Sequence, residues 1–197
     1  MTLNRILQLL YGVLMLSCGA IAPALASRLP GDSVYRIRSL HLVDQRGDVF
    51  SFASLAGTPR LVGMFYGSCR LECPVEIETL KYLERQVLEG RGPSIPVLLV
   101  SFDPAHDDVA VLRRLARRHG LHALQFELTR PVSGDYRALG AVLGIAWRPL
   151  PQGGFAHNEA IVLLDARGRI VARTDGSAPD VPAFVHAIRM QQRVTSR

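Results

Sequence analysis

Arg60-Leu-Val-Gly-Met-Phe-Tyr-Gly-Ser-Cys-Arg-Leu-Glu-Cys-Pro74 joins two apolar patterns of different period. Arg60 to Tyr66 is a short, almost continuously apolar run, the composition of a strand buried on both faces. From Pro74 onward the apolar residues Val75, Ile77, Leu80, Leu83 and Val87 mark a helical stripe that runs to Glu89. Pro74 suits a first helical turn, where its missing N–H costs nothing. Cys69 and Cys73 therefore stand at a strand-to-helix junction. The free first-turn N–H groups and the helix dipole favour negative charge there. A thiol so placed ionises more readily and becomes both a nucleophile and a soft metal ligand.

Working outward, Val34 to Val43 alternates as a strand, Asp44-Gln45-Arg46-Gly47 reads as a turn and Asp48 to Phe52 returns, predicting a hairpin. Val97 to Phe102 is a second buried strand, ended by Asp103-Pro104. A helix follows from Asp108 to His119, then a short third strand from Leu124 to Leu128 and a helix from Gly134 to Leu143. Gly144 to Asn158, with Pro149, Pro151 and paired glycines, reads as irregular. Ala160 to Leu164 and Arg169 to Arg173 form a hairpin about Asp165-Ala-Arg-Gly168, and Val181 to Met190 is a closing helix. Strand-helix-strand units imply parallel pairing and hairpins imply antiparallel neighbours. The fold class is thus α/β, a thioredoxin-like mixed sheet with helices on both faces and an added N-terminal β-hairpin. In such open sheets the active loop lies beyond the carboxyl end of a central strand, where Cys69 falls.

The 197 residues, 48% hydrophobic, suffice for one domain with a substantial core, expected over residues 34–190. Arg5 precedes an apolar run from Ile6 to Ile21 that closes on Ala24-Leu25-Ala26, so residues 1–26 read as a signal peptide or, if retained, a membrane anchor. The protein is expected to be exported, either periplasmic or anchored to the inner membrane facing the periplasm. Cys18 would leave with the leader, and residues 191–197 read as a polar tail. The net charge of +6 is carried almost wholly by arginine, with Lys81 the only lysine. The basic residues are scattered rather than interleaved with aromatics, which argues against nucleic-acid binding. Arg113, Arg114, Arg117 and Arg118 form the solvated face of a helix whose other face is Val109, Leu112, Leu115 and Ala116.

Two cysteines in an oxidising compartment can simply form a disulfide. A bridge closing so short a ring restricts the unfolded chain little, so the spacing favours redox or metal work over stapling. Cys-x-x-x-Cys in a helical turn places both sulfurs on one face. Two thiolates alone suit low-coordinate Cu(I), an added imidazole also suits Cu(II), and zinc normally demands a fourth ligand. The same pair also suits a reversible disulfide. His157, just before the strand Ala160 to Leu164, is the histidine that this topology brings nearest the active end of the sheet. His119 and His122 straddle a helix end, and His41, His106 and His186 have no convergent partner. Asp103 reads as a turn former or as an acceptor behind the site, and Asp107 or Asp108 as the cap of the next helix. Glu72 adds negative charge between the cysteines, which favours a cation and opposes thiolate formation.

Three blocks together resemble the Sco (SenC) family of copper-binding thioredoxin-fold proteins over roughly Val34 to Met190. They are Phe65-Tyr-Gly-Ser-Cys-Arg-Leu-Glu-Cys-Pro74, Val100-Ser-Phe-Asp-Pro-Ala-His-Asp107 and His157-Asn-Glu-Ala-Ile-Val-Leu-Leu-Asp-Ala-Arg-Gly168. The resemblance implies that Cys69, Cys73 and His157 ligate a copper ion, Cu(I) or Cu(II), with Asp103 a nearby functional acidic residue. It implies a chaperone that delivers copper to the dinuclear centre of cytochrome c oxidase subunit two, or to another copper or thiol protein. The alternative it implies is a thiol-disulfide reductase that keeps such cysteines reduced, with Cys69 and Cys73 as the redox-active pair. The family usually has proline directly after its first cysteine, whereas this chain has Arg70. A cation there lowers the pKa of Cys69 and disfavours a bound metal, shifting weight toward thiol exchange.

Overall fold

The computed structural model describes residues 29–70, 72–175 and 179–195; the expected leader, with Cys18, lies outside them. The elements are β1 (His41–Asp44), β2 (Val49–Ser51), β3 (Arg60–Phe65), α1 (Glu72–Glu89), β4 (Val97–Ser101), α2 (Val109–Arg118) and β5 (Phe126–Ser133). They continue with α3 (Tyr136–Leu143), β6 (Trp147–Pro149), β7 (Phe155–His157), β8 (Ala160–Leu164), β9 (Ile170–Asp175) and α4 (Val181–Thr195). Seven strands form one sheet in the order β2-β1-β5-β4-β3-β8-β9, and β6 and β7 form a separate hairpin. β3, β4 and β5 are parallel, because α1 and α2 carry the chain back between them. The remaining pairs are antiparallel. This is the thioredoxin-like arrangement, with its N-terminal hairpin added at one edge.

Every residue of β3, β4 and β8 is buried, which is why those strands read as unbroken apolar runs. Ser101, which ends β4, and Arg60, which begins β3, are the polar exceptions, and Arg60 is fully partnered. Its Nε donates to the Tyr35 hydroxyl at 3.1 Å, its guanidinium donates to the Leu55 carbonyl at 3.0 Å, and Glu127 lies 3.7 Å away. On α1 the residues Ile77, Leu80, Leu83 and Val87 bury the expected stripe. α4 packs on α1 and β9, and α2 on β1 and β5. Among the described residues, no helix is long and apolar enough to cross a membrane.

Four expectations are corrected. Val34 to Val43 is not one strand: Val34–Arg36 is a single 3-10 turn that buries Val34 and Tyr35, and the strand begins at His41. Tyr35 packs on Phe52 at 5.3 Å and fits against Gly168, where a Cβ would strike its ring, so turn packing rather than a pleat produces the alternation. β5 runs on to Ser133 through Pro131, which it accommodates at a register shift opposite His41 and Leu42. The segment read as irregular contains the β6–β7 hairpin. α4 continues past Met190 to Thr195 because Arg189 donates to the Gln86 carbonyl at 3.0 Å and Gln192 to that of Pro93 at 2.7 Å, so most of the supposed tail is helix.

Candidate metal centre

β3 ends at Phe65 and Tyr66-Gly67-Ser68 turns the chain toward α1. The Gly67 N–H donates to both carboxylate oxygens of Asp107, at 2.9 and 3.0 Å, and the Ser101 hydroxyl donates to the same carboxylate. A Cβ at Gly67 would collide with that carboxylate, so only glycine permits this approach. The Cys69 N–H donates to the Tyr66 carbonyl at 3.1 Å. Cys73 lies in the first turn of α1, and its N–H donates to Cys69 Sγ at 3.3 Å. A sulfur thus takes one of the helix's free N–H groups, as the strand-to-helix junction predicts. Cys69 is partly buried, Cys73 is buried, and neither is in a disulfide.

His157 ends β7, facing Trp147 across the small hairpin. The Asn158 side chain closes the hairpin's base, accepting from the Ala146 N–H at 2.7 Å and donating to the Gly144 carbonyl at 2.9 Å. The imidazole lies edge-on to Tyr66 at 5.7 Å and 5.3 Å from Phe102, whose ring stacks on Trp147 at 5.0 Å. His157 Nδ1 is 3.3 Å from the Asn158 carbonyl. Since a carbonyl only accepts, this bond puts the proton on Nδ1 and leaves a lone pair on Nε2. Nε2 is buried and has no protein partner. One ligand atom each from Cys69, Cys73 and His157 falls within 4.8 Å of the other two. Two sulfurs and one imidazole nitrogen so gathered can hold a single soft metal ion.

The surroundings are acidic. The Cys69 thiol donates to Glu72 at 3.4 Å. Glu76, 3% exposed, lies one turn beyond Cys73 with neither carboxylate oxygen bonded to protein, in room left by Gly63, where a Cβ would meet it. Burial, then the charges of Glu159 and Cys69, raise its pKa well above the usual carboxylate range. Glu159 is raised by burial, with His157 opposing. The Cys73 thiol is pushed far upward by its hydrogen bond with Cys69, then by burial and by the charges of Cys69 and Glu76. Such a ring keeps the metal-free Cys73 thiol protonated and favours a cation once it displaces that proton.

Cys69, Cys73 and His157 thus converge as the sequence suggests. Asp103 does not bond to them: its carboxylate holds His106 Nδ1 at 2.8 and 2.9 Å and thereby raises the pKa of that imidazole. The acid that grips the cysteine loop is Asp107, while Asp108 caps α2 by accepting from the Val111 N–H at 2.8 Å. His119 approaches Glu78, and His41 the Ser39 carbonyl, both apart from the centre. Sequence reading passed over Glu76, although its spacing from Cys73 and Leu80 puts it on the buried face of α1.

No curated protein matches the chain in sequence. Among solved structures, ScoI of Arabidopsis thaliana with copper bound is 16% identical at a TM-score of 0.66, with 79% of this chain and 97% of that one covered. BsSco, described through a disulfide switch in a member of the Sco family of cytochrome c oxidase assembly proteins, is 16% identical at 0.64, covering 80% and 94%. A SCO1/SenC family lipoprotein of Bacillus anthracis is 14% identical at 0.67, covering 78% and 92%. These likenesses agree with the thioredoxin-like sheet. The model of the SCO1/SenC family matches residues 35–192, nearly the whole described domain, and the chain belongs to that family.

Proposed function

We propose that this protein is an exported copper chaperone that binds one copper ion through Cys69, Cys73 and His157 and passes it by ligand exchange to the dinuclear copper centre of cytochrome c oxidase subunit two. The observation that carries the reading is the buried, unpartnered Nε2 of His157 within 4.8 Å of two sulfurs that are in no disulfide. Leaving a buried acceptor unsatisfied costs about 1–3 kcal/mol, a cost that a bound metal removes. Cys73 is the inner of the two sulfurs, and the less buried Cys69 is the one an incoming thiol reaches first. Residues 1–26, as leader or anchor, keep this domain on the exported side of the membrane.

Replacing His157 by Ala tests the reading. Copper(II) affinity of the reduced protein falls by at least about a hundredfold, more than the loss of an outer partner causes. Unchanged affinity overturns the three-ligand site.

A second reading rests on the Cys69 and Cys73 sulfurs, which lie within 4.8 Å of each other and are in no disulfide. The Cys69 thiolate attacks a target disulfide and releases one target thiol. Cys73 then displaces the other, so the pair is oxidised to a disulfide while the target gains two electrons and two protons. The raised pKa of Cys73 works against this reading, because the second displacement needs its thiolate. A covalent adduct trapped by Cys73→Ser without copper would favour it.

A further inference from the structure

We propose that the end of the domain opposite the metal centre is a docking surface for an anionic phospholipid bilayer; this uses the reading of residues 1–26 as a retained anchor. β3, β4 and β5 begin in register, with Leu61 beside Val97 and Val97 beside Phe126, and β8 ends there with Leu164 beside Arg60. The connections 90–96, 119–125 and 165–169 therefore share one end of the sheet, and the Cys69 loop leaves the other. α4 ends there too, since Gln192 donates to the Pro93 carbonyl at 2.7 Å. The described chain also starts at this end: the Ser33 hydroxyl donates to the Arg167 carbonyl at 2.6 Å and the Val34 N–H to that of Gly168 at 2.9 Å. In the sequence only Ser27 and Arg28 separate Ala26 from Leu29, a reach of at most about 11 Å. A retained anchor thus holds this end within about one Debye length of the headgroups.

The side chains there suit that neighbour. Arg91, Arg117, Arg118, Arg167 and Arg193 are exposed at this end. The exposed acids around them are engaged: Asp32 with Arg169 at 3.5 Å, Asp48 with Arg46 at 3.2 Å, and Glu89 with the Gln86 amide at 2.8 Å. Among the described residues the two most exposed large apolar side chains, Leu124 at 95% and Val194 at 69%, stand in the same place. Apolar side chains set among cations are the composition of a surface that lies in a bilayer interface, the cations drawing anionic headgroups. The dipole of α2 accounts for Arg117 and Arg118 in its last turn, but not for Leu124. Nor does the backbone account for Arg91: it follows α1 with φ 61, a left-handed position that glycine takes without strain. The metal end gathers carboxyl groups instead, those of Glu72, Asp103 and Asp107. An anionic surface therefore favours the arginine end, and the metal centre faces water one strand length away, about 20 Å.

The test uses the full chain on phosphatidylcholine vesicles with or without phosphatidylglycerol, read by flotation and by amide exchange. With phosphatidylglycerol at low salt, exchange at His122 to Leu124 and Arg91 to Gly92 slows about tenfold, while exchange at Gly67 to Cys69 is unchanged. In Arg117→Gln/Arg118→Gln the slowing falls below about twofold, each arginine being worth about fivefold in affinity, and in the parent it fades as salt rises. Leu124→Ser weakens docking about tenfold at either salt concentration, because its share is apolar burial. All three side chains are exposed, so these variants leave the core intact. Equal exchange on the two kinds of vesicle, with the chain floating on both, overturns the docking surface and leaves the anchor standing. Slowing on phosphatidylglycerol without flotation on phosphatidylcholine alone overturns the anchor and leaves the surface standing.

Discussion

The cysteine loop and the histidine hairpin meet at one point, yet opposite means hold them there. Cys69 and Cys73 are four positions apart on a segment that runs from a central buried strand into a helix, with Asp107 and the sheet core gripping its start. His157 rides on β6–β7, outside the ladder of the main sheet, and is kept in place by rings and by Asn158. One half is set by backbone and the other by side-chain packing. A metal ion bound across them would therefore tie a part held by side-chain packing to one held by backbone, and each half should be breakable without the other.

The largest effect is expected from Asp107→Ala, which strips the acceptor from Gly67 and Ser101 and leaves two donors with nothing in reach. Stability should fall by about 2–4 kcal/mol, read as a lower urea midpoint. Amide exchange should quicken at Gly67 to Cys69 while the hairpin keeps its protection. Faster exchange in the hairpin to the same degree would mean that the halves are not independent.

Trp147→Ala makes the converse cut. Trp147 is half-buried between Phe102 at 5.0 Å and Tyr136 at 5.9 Å, with the Arg137 guanidinium 5.6 Å from its ring centre. Losing it should cost about 2 kcal/mol, below the range for a fully buried Trp because the side chain is only half-buried. Copper affinity should drop about tenfold through the misplaced imidazole, with exchange in the Gly67 to Cys69 turn unchanged.

Glu76 sharpens the cysteine side through pH. Its folded-state pKa is raised, so above the usual carboxylate range the unfolded chain has lost a proton that the folded chain still holds. The folded state binds more protons there, and stability falls as pH rises through that interval. Asp107, Glu127 and Glu159 are also raised by burial and add the same sign. Glu76→Gln should therefore flatten, without abolishing, the decline of the urea midpoint between pH 5 and 8, and gain about 1 kcal/mol at neutral pH. A slope identical to that of the parent protein would show that Glu76 ionises as freely folded as unfolded.

The same contrast explains what could be read from sequence. β3, β4 and β8 were legible because burial on both faces confines polar residues to their ends, and the cysteine pair because its geometry is local. The hairpin was not, since Trp147-Arg-Pro149 and Phe155-Ala-His157 carry a proline, a cation and an imidazole and depend on distant rings. Asp107 was hidden by phase: two adjacent aspartates precede α2, either suits a cap, and only the folded loop assigns Asp108 to the helix and Asp107 to Gly67. Glu76 was skipped as a polar residue although helical spacing puts it among the buried ones.

The smallest effect, and the one that separates charge from stiffness in the cysteine loop, is expected at Arg70. The side chain is exposed, so its repulsion of a bound cation acts through water and fades as salt rises. Arg70→Gln should raise copper affinity by less than about threefold at low ionic strength and by nothing measurable at high salt. Arg70→Pro removes the same charge and also restricts the unfolded chain, for about 0.4–1 kcal/mol where the backbone permits it. That part does not respond to salt. A proline gain in stability that vanishes at high salt along with the glutamine gain in affinity would mean that the backbone at position 70 does not permit proline, leaving charge as the whole effect.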